Sequence, residues 1–299
     1  MPYYIPSPGH NADGATLQVF ERDYAANNQR PGYWGAVAAS IDWCERNYEV
    51  SYYVAEWYNT TSNIVMVLLA AVGLAVAVRD RHEPRFIALH GACLVVGLGS
   101  GVFHGTLTHV GQQGDETPMI WAMSAWLYCL LAMNPDVERE FPRAVRRLRR
   151  GLLGFCAAFT VAHYHLRLVV AFQVAFATLT LFASVLLAAN IRACRDRRGF
   201  WLGCAYIGGM VLGFSAWLVD VHACDAMHAL PEAAGVPNPQ LHAWWHALTA
   251  VACYAGPAFL KFRRATLLGR GPRVEFWWGV VPVVVVAAAA APAGRRAGR

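Results

Sequence analysis

His242 and His246 stand four residues apart in the run Leu241-His242-Ala243-Trp244-Trp245-His246, at the mouth of an apolar segment, and His104 ends a second such segment. Residues i and i+4 of a helix share one face, so both imidazoles can aim at one point while His104 completes the set from a neighbouring helix. Three neutral nitrogen ligands with an open fourth position describe a hydrolytic zinc centre rather than a structural one. Ser100 lies one turn before His104, and Asp115 follows it across a short loop. Each of these residues alone has a plain explanation. An intramembrane histidine is often hydrogen-bonded packing, and a serine within Gly97-Leu98-Gly99-Ser100-Gly101 is usually a close-approach residue between helices. Several ionisable groups buried together in a low-dielectric slab are costly, however, and a shared metal explains them jointly.

A second constellation precedes the first apolar segment: Asp42-Trp43-Cys44-Glu45-Arg46-Asn47-Tyr48, then Glu56. Carboxylate and amide oxygens at that density suit a hard cation such as calcium, although the spacing is not that of the twelve-residue helix-loop-helix site. An acidic, solvated segment with ordinary capping residues would read the same way.

The elements that must position these groups are membrane helices. Of 299 residues, 57% are hydrophobic and 15% charged, too apolar a balance for a soluble domain of this size. Apolar stretches near the roughly 17 to 25 residues that cross a bilayer recur at 60–78, 86–107, 118–133, 152–162, 166–189, 200–219 and 241–260. The expected fold is all-α, a polytopic membrane protein whose seven-transmembrane helix bundle encloses an intramembrane zinc site. Residues 276–292 are also apolar, but Pro282 interrupts them and a crossing would export Arg295, Arg296 and Arg299. They are expected to form an interfacial or loosely packed tail.

Charge placement gives orientation, because cytoplasmic loops carry the excess of Lys and Arg. The first connection holds Arg79, Arg81 and Arg85, the third runs from Arg139 to Arg150, and the fifth holds Arg192, Arg195, Arg197 and Arg198. The segment after the seventh stretch adds Lys261, Arg263, Arg264, Arg270 and Arg273 to that side, while the other connections hold only Arg167. The expected layout is a luminal segment 1–59 carrying the calcium block, a hydrolase domain 60–262 and a cytoplasmic tail 263–299. The net charge of +6 is this loop bias, not a nucleic-acid footprint. The first 30 residues lack an apolar h-region, so insertion is expected to rely on the first span.

This topology also sorts the eight cysteines. Cys93, Cys129, Cys156, Cys204 and Cys253 fall in spans and Cys194 on the cytoplasmic side, which leaves Cys44 and Cys224 outside, where a disulfide is permitted. They are paired on that ground. Of the other histidines, His90 and His109 lie out of register with His104 or beyond the span. His163, His165, His222 and His228 read as interfacial or loop residues, and His82 as solvated beside the arginines.

These residues resemble one family, the alkaline ceramidases, seven-span hydrolases of the endoplasmic reticulum and Golgi. Gly32-Tyr33-Trp34-Gly35, Asp42-Trp43-Cys44-Glu45 with Asn47-Tyr48, and Ala55-Glu56-Trp57-Tyr58-Asn59-Thr60 with Ser62-Asn63 look like its amino-terminal signature. Gly99-Ser100 with Phe103-His104, Asp115-Glu116 with Pro118-Met119-Ile120, and His242-Ala243-Trp244-Trp245-His246 look like its catalytic blocks. The resemblance runs from about Gly32 to Phe262 and leaves out the first 30 residues and the tail after Arg273. It implies zinc on His104, His242 and His246, with Ser100 and Asp115 as catalytic neighbours. It also implies calcium on Asp42, Trp43 through its backbone carbonyl, Glu45, Asn47 and Glu56. Tyr58, Gly101 and Gly105 depart from the expected pattern in ways that bear on substrate fit rather than chemistry.

The chemistry so implied is zinc-assisted hydrolysis of a ceramide-class amide to a fatty acid and a free sphingoid base. Asp115 would move the proton and Ser100 would donate to the developing oxyanion. A seven-span lipid sensor of the same superfamily with little hydrolase activity is the main alternative. The outside amino terminus and the Asp42 to Asn47 block favour the hydrolase. A structural zinc in a transporter would need a charged pathway that the spans lack. No protein partner can be inferred.

Overall fold

A computed structural model describes residue 30 and residues 32–286 of the chain. Seven long helices hold all seven apolar stretches: α1 (Trp57–Arg79), α2 (Pro84–Thr106), α3 (His109–Leu131), α5 (Pro142–Leu166), α6 (Val169–Arg192), α7 (Arg197–His222) and α9 (Leu241–Leu267). Two short helices, α4 (Pro135–Glu140) and α8 (Cys224–Ala234), lie in the connections. Pro84, Pro135 and Pro142 each sit at the start of a helix, where the missing N–H is no loss.

Four of these helices, α1, α2, α6 and α7, are long and apolar enough to cross a membrane. The other three carry more polar cargo: α3 opens with Gln112, Gln113, Asp115 and Glu116, α5 opens with five arginines, and α9 holds two histidines near its start and Lys261, Arg263 and Arg264 near its end. Outward-facing Leu181, Val185, Val211 and Leu212 are exposed on α6 and α7, an arrangement that suits lipid rather than water.

The link that matters most for the site is the shortest. Helix α2 ends at Leu107, which takes the left-handed conformation (φ 47°), and Thr108 caps α3 by accepting from the Gly111 amide at 3.1 Å. Two residues therefore reverse the chain, and the end of α2 faces the start of α3. Further up, the helices touch backbone to backbone: a Cβ on Gly99 would fall 1.8 Å from the Gly114 carbonyl oxygen.

Over this end of the bundle lies the segment 32–56. It has little regular structure, yet it buries Val37, Ala39, Ile41, Trp43 and Tyr48 against Phe103, Leu107 and Val221. Its backbone closes the α2 terminus. The amides of Ala38 and Ala39 donate to Leu107 O (3.0 and 2.9 Å), Ala55 N to Gly105 O (3.0 Å) and Glu56 N to His104 O (3.0 Å). Carbonyls that a helix end leaves orphaned are thus satisfied by the covering segment.

The opposite end corrects two expectations. The fold is mostly helical, as expected, but not wholly so: β1 (Arg273–Trp277) and β2 (Val281–Val285) pair antiparallel around Gly279 at φ 75°. Nor is this part of the tail loosely packed, since Val274 and Val284 join Phe86, Leu89, Trp126, Phe259 and Leu260 in the larger core. A valine-rich run is β-branched and fits a strand, and in a two-stranded sheet every strand is an edge, so Pro282 is tolerated. Its carbonyl accepts from Tyr254 Oη at 2.9 Å. Residues 287–292 of the same apolar run lie outside the described residues.

Helix α9 also runs past 262. Its Arg264 is buried, donating to Glu83 Oε1 (3.0 Å), Met133 O (2.9 Å) and Glu138 Oε2 (2.5 Å), while Arg85 meets the same two glutamates. Charges counted only as loop residues for orientation here clamp four chain segments. His82, expected in solvent, is largely buried, and His163, expected at an interface, is fully buried.

Candidate metal centre and catalytic residues

His104, on the last turn of α2, and His242 and His246, on the first turns of α9, are all buried, and one ring nitrogen from each lies within 4.8 Å of the other two. His104 Nε2 and His242 Nδ1 have no hydrogen-bond partner among the described residues. Buried polar atoms are nearly always paired, so two orphaned imidazole nitrogens in one cluster mark a place for a cation. Three imidazoles and no thiolate fit zinc with a position left open for substrate or water.

The rings are held from outside. His104 Nδ1 bonds the Glu56 carboxylate. His246 Nδ1 lies 2.9 Å from Ser62 Oγ and 3.3 Å from Asn63 Nδ2. His242 stacks on Trp43, ring centroids 4.0 Å apart, and its backbone amide donates to Asp220 Oδ1 at 3.2 Å. Such outer partners fix ring orientation and tautomer. Reading the sequence left Ser62, Asn63 and Asp220 without a role. A signal was available on α1: Glu56, Asn59 and Asn63, at helical spacing, are all buried, and polar residues on one face of an apolar helix point inward.

Ser100 and Asp115 come close across the α2–α3 crossing, the serine hydroxyl beside the carboxylate. The neighbouring Gly99–Gly114 contact allows it. Gly99→Ala must push the helices apart, and we expect it to lower activity at least tenfold, as misplacement by about an ångström does, with zinc retained. Hydrolysis at the parental rate by that variant would show that the close approach is unnecessary.

The amino-terminal block gathers as a buried cluster. Asp42, Trp43, Glu45, Asn47 and Glu56 are all buried. Asn47 Nδ2 donates to both Asp42 oxygens (3.2 and 3.1 Å), Trp43 N to Glu56 Oε1 (3.1 Å), and the Tyr58 and Asn59 amides to Glu45 (2.7 and 2.8 Å). Among the described residues no Lys or Arg pairs with the three carboxylates. Burial and mutual repulsion push Asp42 well above the usual carboxylate range and Glu45 to about 8, and burial does the same for Glu56, to about 8. Rich in buried carboxylate and amide oxygens, the cluster fits a hard dication.

The sign of the pH effect follows. An acid whose pKa is higher folded than unfolded costs stability as pH rises from its unfolded value near 4 towards about 8. In chelator the melting temperature should therefore fall across that window, and millimolar calcium, by binding the folded form, should restore it. Glu45→Gln with Glu56→Gln should flatten both responses. An unchanged calcium response in the double variant would assign the effect elsewhere.

Cys44 and Cys224 are joined as a disulfide with Cα atoms 5.6 Å apart. It ties the covering segment to the start of α8, and His228 Nε2 bonds the Cys44 carbonyl at 2.8 Å. Of the remaining histidines, His109 bonds Tyr164 O at 3.0 Å and His90 is buried far along α2. Neither joins the three-histidine cluster.

A family model described as ceramidase matches residues 35–285. The chain belongs to the ceramidase family. It is 34% identical over 250 residues to an alkaline ceramidase of Arabidopsis thaliana, covering 84% of this chain and 93% of the relative. With alkaline ceramidase 3 of Mus musculus the identity is 34% over 257 residues, covering 85% and 94%. With an alkaline ceramidase of Saccharomyces cerevisiae it is 30% over 279 residues, covering 88% of each. The ceramidase match takes in every residue of both clusters and extends through β2. The match thus reaches beyond Phe262, where the sequence alone ended the resemblance, and into the tail after Arg273.

Proposed function

We propose that this chain is a zinc-dependent ceramidase of the membrane, hydrolysing the amide of a ceramide, phytoceramide or dihydroceramide to a free sphingoid base and a fatty acid. The observation that carries the reading is the convergence of His104, His242 and His246, with orphaned nitrogens, in a chain that belongs to the ceramidase family. Relatives named as enzymes weigh against a lipid sensor. Seven crossings with the amino terminus luminal, in the endoplasmic reticulum or Golgi, agree with the loop arginines and with seven helices of 23 to 27 residues. A site within the helix ends suits a substrate whose two chains stay in the bilayer.

Zinc bound by the three histidines would supply Lewis acidity, polarising the amide carbonyl and making a water easier to deprotonate. The proton work falls to Asp115, which takes the proton from the attacking water and returns it to the leaving amine. Ser100 has one O–H, and beside Asp115 it can be given to that group while it is a carboxylate. Once Asp115 is protonated it can itself donate to Ser100 Oγ, and the serine O–H is released to the developing oxyanion. Calcium in the Asp42 cluster would hold the covering segment, and with it Glu56 and His104, in place. The test is product formation by purified protein from each of the three ceramide types, and no free base from any of them would rule the proposal out.

A further inference from the structure

Two amino-terminal motifs, Gly32-Tyr33-Trp34-Gly35 and Trp57-Tyr58, give no side chain to either cluster. Gly32 lies flat against the Tyr48 ring, where a Cβ would come within 2.1 Å, and Gly35 turns the chain at φ 76°. Held at both ends, Tyr33 and Trp34 are left on the surface. Tyr33 N donates to Tyr52 O and Trp34 Nε1 to Tyr53 O, both at 2.9 Å. The Tyr33 ring centroid stands 5.0, 6.4 and 5.5 Å from those of Trp34, Tyr52 and Tyr53. Just beyond, the chain enters α1 with Trp57 and Tyr58 outward. All six rings are between 37% and 64% exposed.

Aromatic rings gathered in the open mark a contact surface, and this one's position names its partner. Trp57 shares one face of α1 with Ile64 and Leu68, which are exposed as well. The patch therefore continues the outer side of a helix long and apolar enough to cross a membrane. It also lies level with the helix ends, because Ala55 N and Glu56 N bond the Gly105 and His104 carbonyls in the last turn of α2. Tyr and Trp, apolar bodies with a polar edge, favour that boundary between hydrocarbon and water. The six residues carry no charge. Of the charged residues in the segment, Asp42, Glu45 and Glu56 are buried, while Arg46 lies 3.9 Å from Glu49 and 3.7 Å from Glu232. Nothing in the patch selects an anionic surface.

We propose that the covering segment docks on the bilayer through this patch, with the zwitterionic headgroup layer around α1 as its partner, and so holds the site against the leaflet that supplies substrate. The other side of the same stretch of chain faces the clusters. Glu45 accepts from the Tyr58 and Asn59 amides at 2.7 and 2.8 Å, and Glu56 bonds His104. Lipid on the outside and the carboxylates within therefore act on one piece of backbone. The consequence for substrate rests on the hydrolytic reading above, whereas the docking does not.

The first test places photoreactive benzoylphenylalanine in the full chain, in place of Tyr33, Tyr53, Leu68 or Glu232, one position at a time, in phosphatidylcholine nanodiscs, using proteins that melt at the parental temperature. After irradiation, mass spectrometry should find lipid adducts at 33 and 53, as at 68 on the lipid side of α1, and none at 232, which is exposed on α8. An adduct at 68 with none at 33 or 53 overturns the docking, and so does a covalent bond from 33 or 53 to a second copy of the chain. The second test is Tyr33→Ser with Tyr53→Ser. KM for long-chain ceramide in phosphatidylcholine vesicles should rise several-fold, with kcat, zinc content and hydrolysis of a short-chain ceramide in detergent micelles all parental. Equal losses in vesicles and micelles would make the patch a folding element only and overturn the proposal. If the parental protein hydrolyses no ceramide, the proposed function falls, and lipid adducts at 33 and 53 still support the docking.

Discussion

Asp115→Asn should leave the zinc content of the purified protein unchanged and lower kcat for ceramide hydrolysis by roughly two to four orders of magnitude, as removal of a proton-transfer group does. The substitution preserves shape, and Ser100 can still donate to the amide oxygen, so the α2–α3 crossing at Gly99 and Gly114 is undisturbed. What disappears is the ability to take a proton from water and return it to the amine. Because Asp115 does not belong to the three-histidine cluster, metal binding and catalysis should separate in this variant. A parental rate would make Asp115 a structural acid and assign the proton to another group.

His246→Ala should lose both zinc and hydrolysis. Its imidazole is one of only three ligand groups in the cluster, held in place by Ser62 and Asn63. Removing one leaves two nitrogens, short of what either a structural or a catalytic zinc site uses. Elemental analysis should fall from about one zinc per chain to a small fraction of it. Activity should fall to background, since Asp115 and Ser100 alone do not polarise the amide. His242→Ala should behave alike, with the added loss of its stacking on Trp43. A fully metallated, active His246→Ala protein would contradict the ligand assignment.

The histidine cluster was readable from the sequence because its geometry is local. Positions 242 and 246 share a helix face whatever surrounds them, and Ser100 and His104 do the same on α2. The meeting with Asp115 depended only on a connection too short to allow anything else. What stayed hidden is tertiary. Glu56 and His104 are 48 residues apart, and nothing in either motif says that one carboxylate serves both the amino-terminal cluster and the histidine cluster. The burial of His163 was missed for a different reason. The arginines opening α5 broke its apolar signal into a short stretch, so His163 read as a residue at a membrane edge instead of one buried inside a long helix. The β-hairpin escaped because an apolar valine run has no periodicity to tell strand from buried helix or tail. Arg85 and Arg264 were counted as loop charges, since a charge tally cannot see Glu83 and Glu138 waiting to pair with them.

On the function proposed, ceramide hydrolysis runs on a metal held by His104, His242 and His246. Its most direct test is release of free sphingoid base from ceramide by purified protein, measured by mass spectrometry before zinc removal, after it, and after zinc is returned with calcium kept constant. Base release by the untreated protein should be lost with the zinc and recovered on adding about one equivalent of zinc per chain. Undiminished base release from protein shown by elemental analysis to contain no zinc would contradict it.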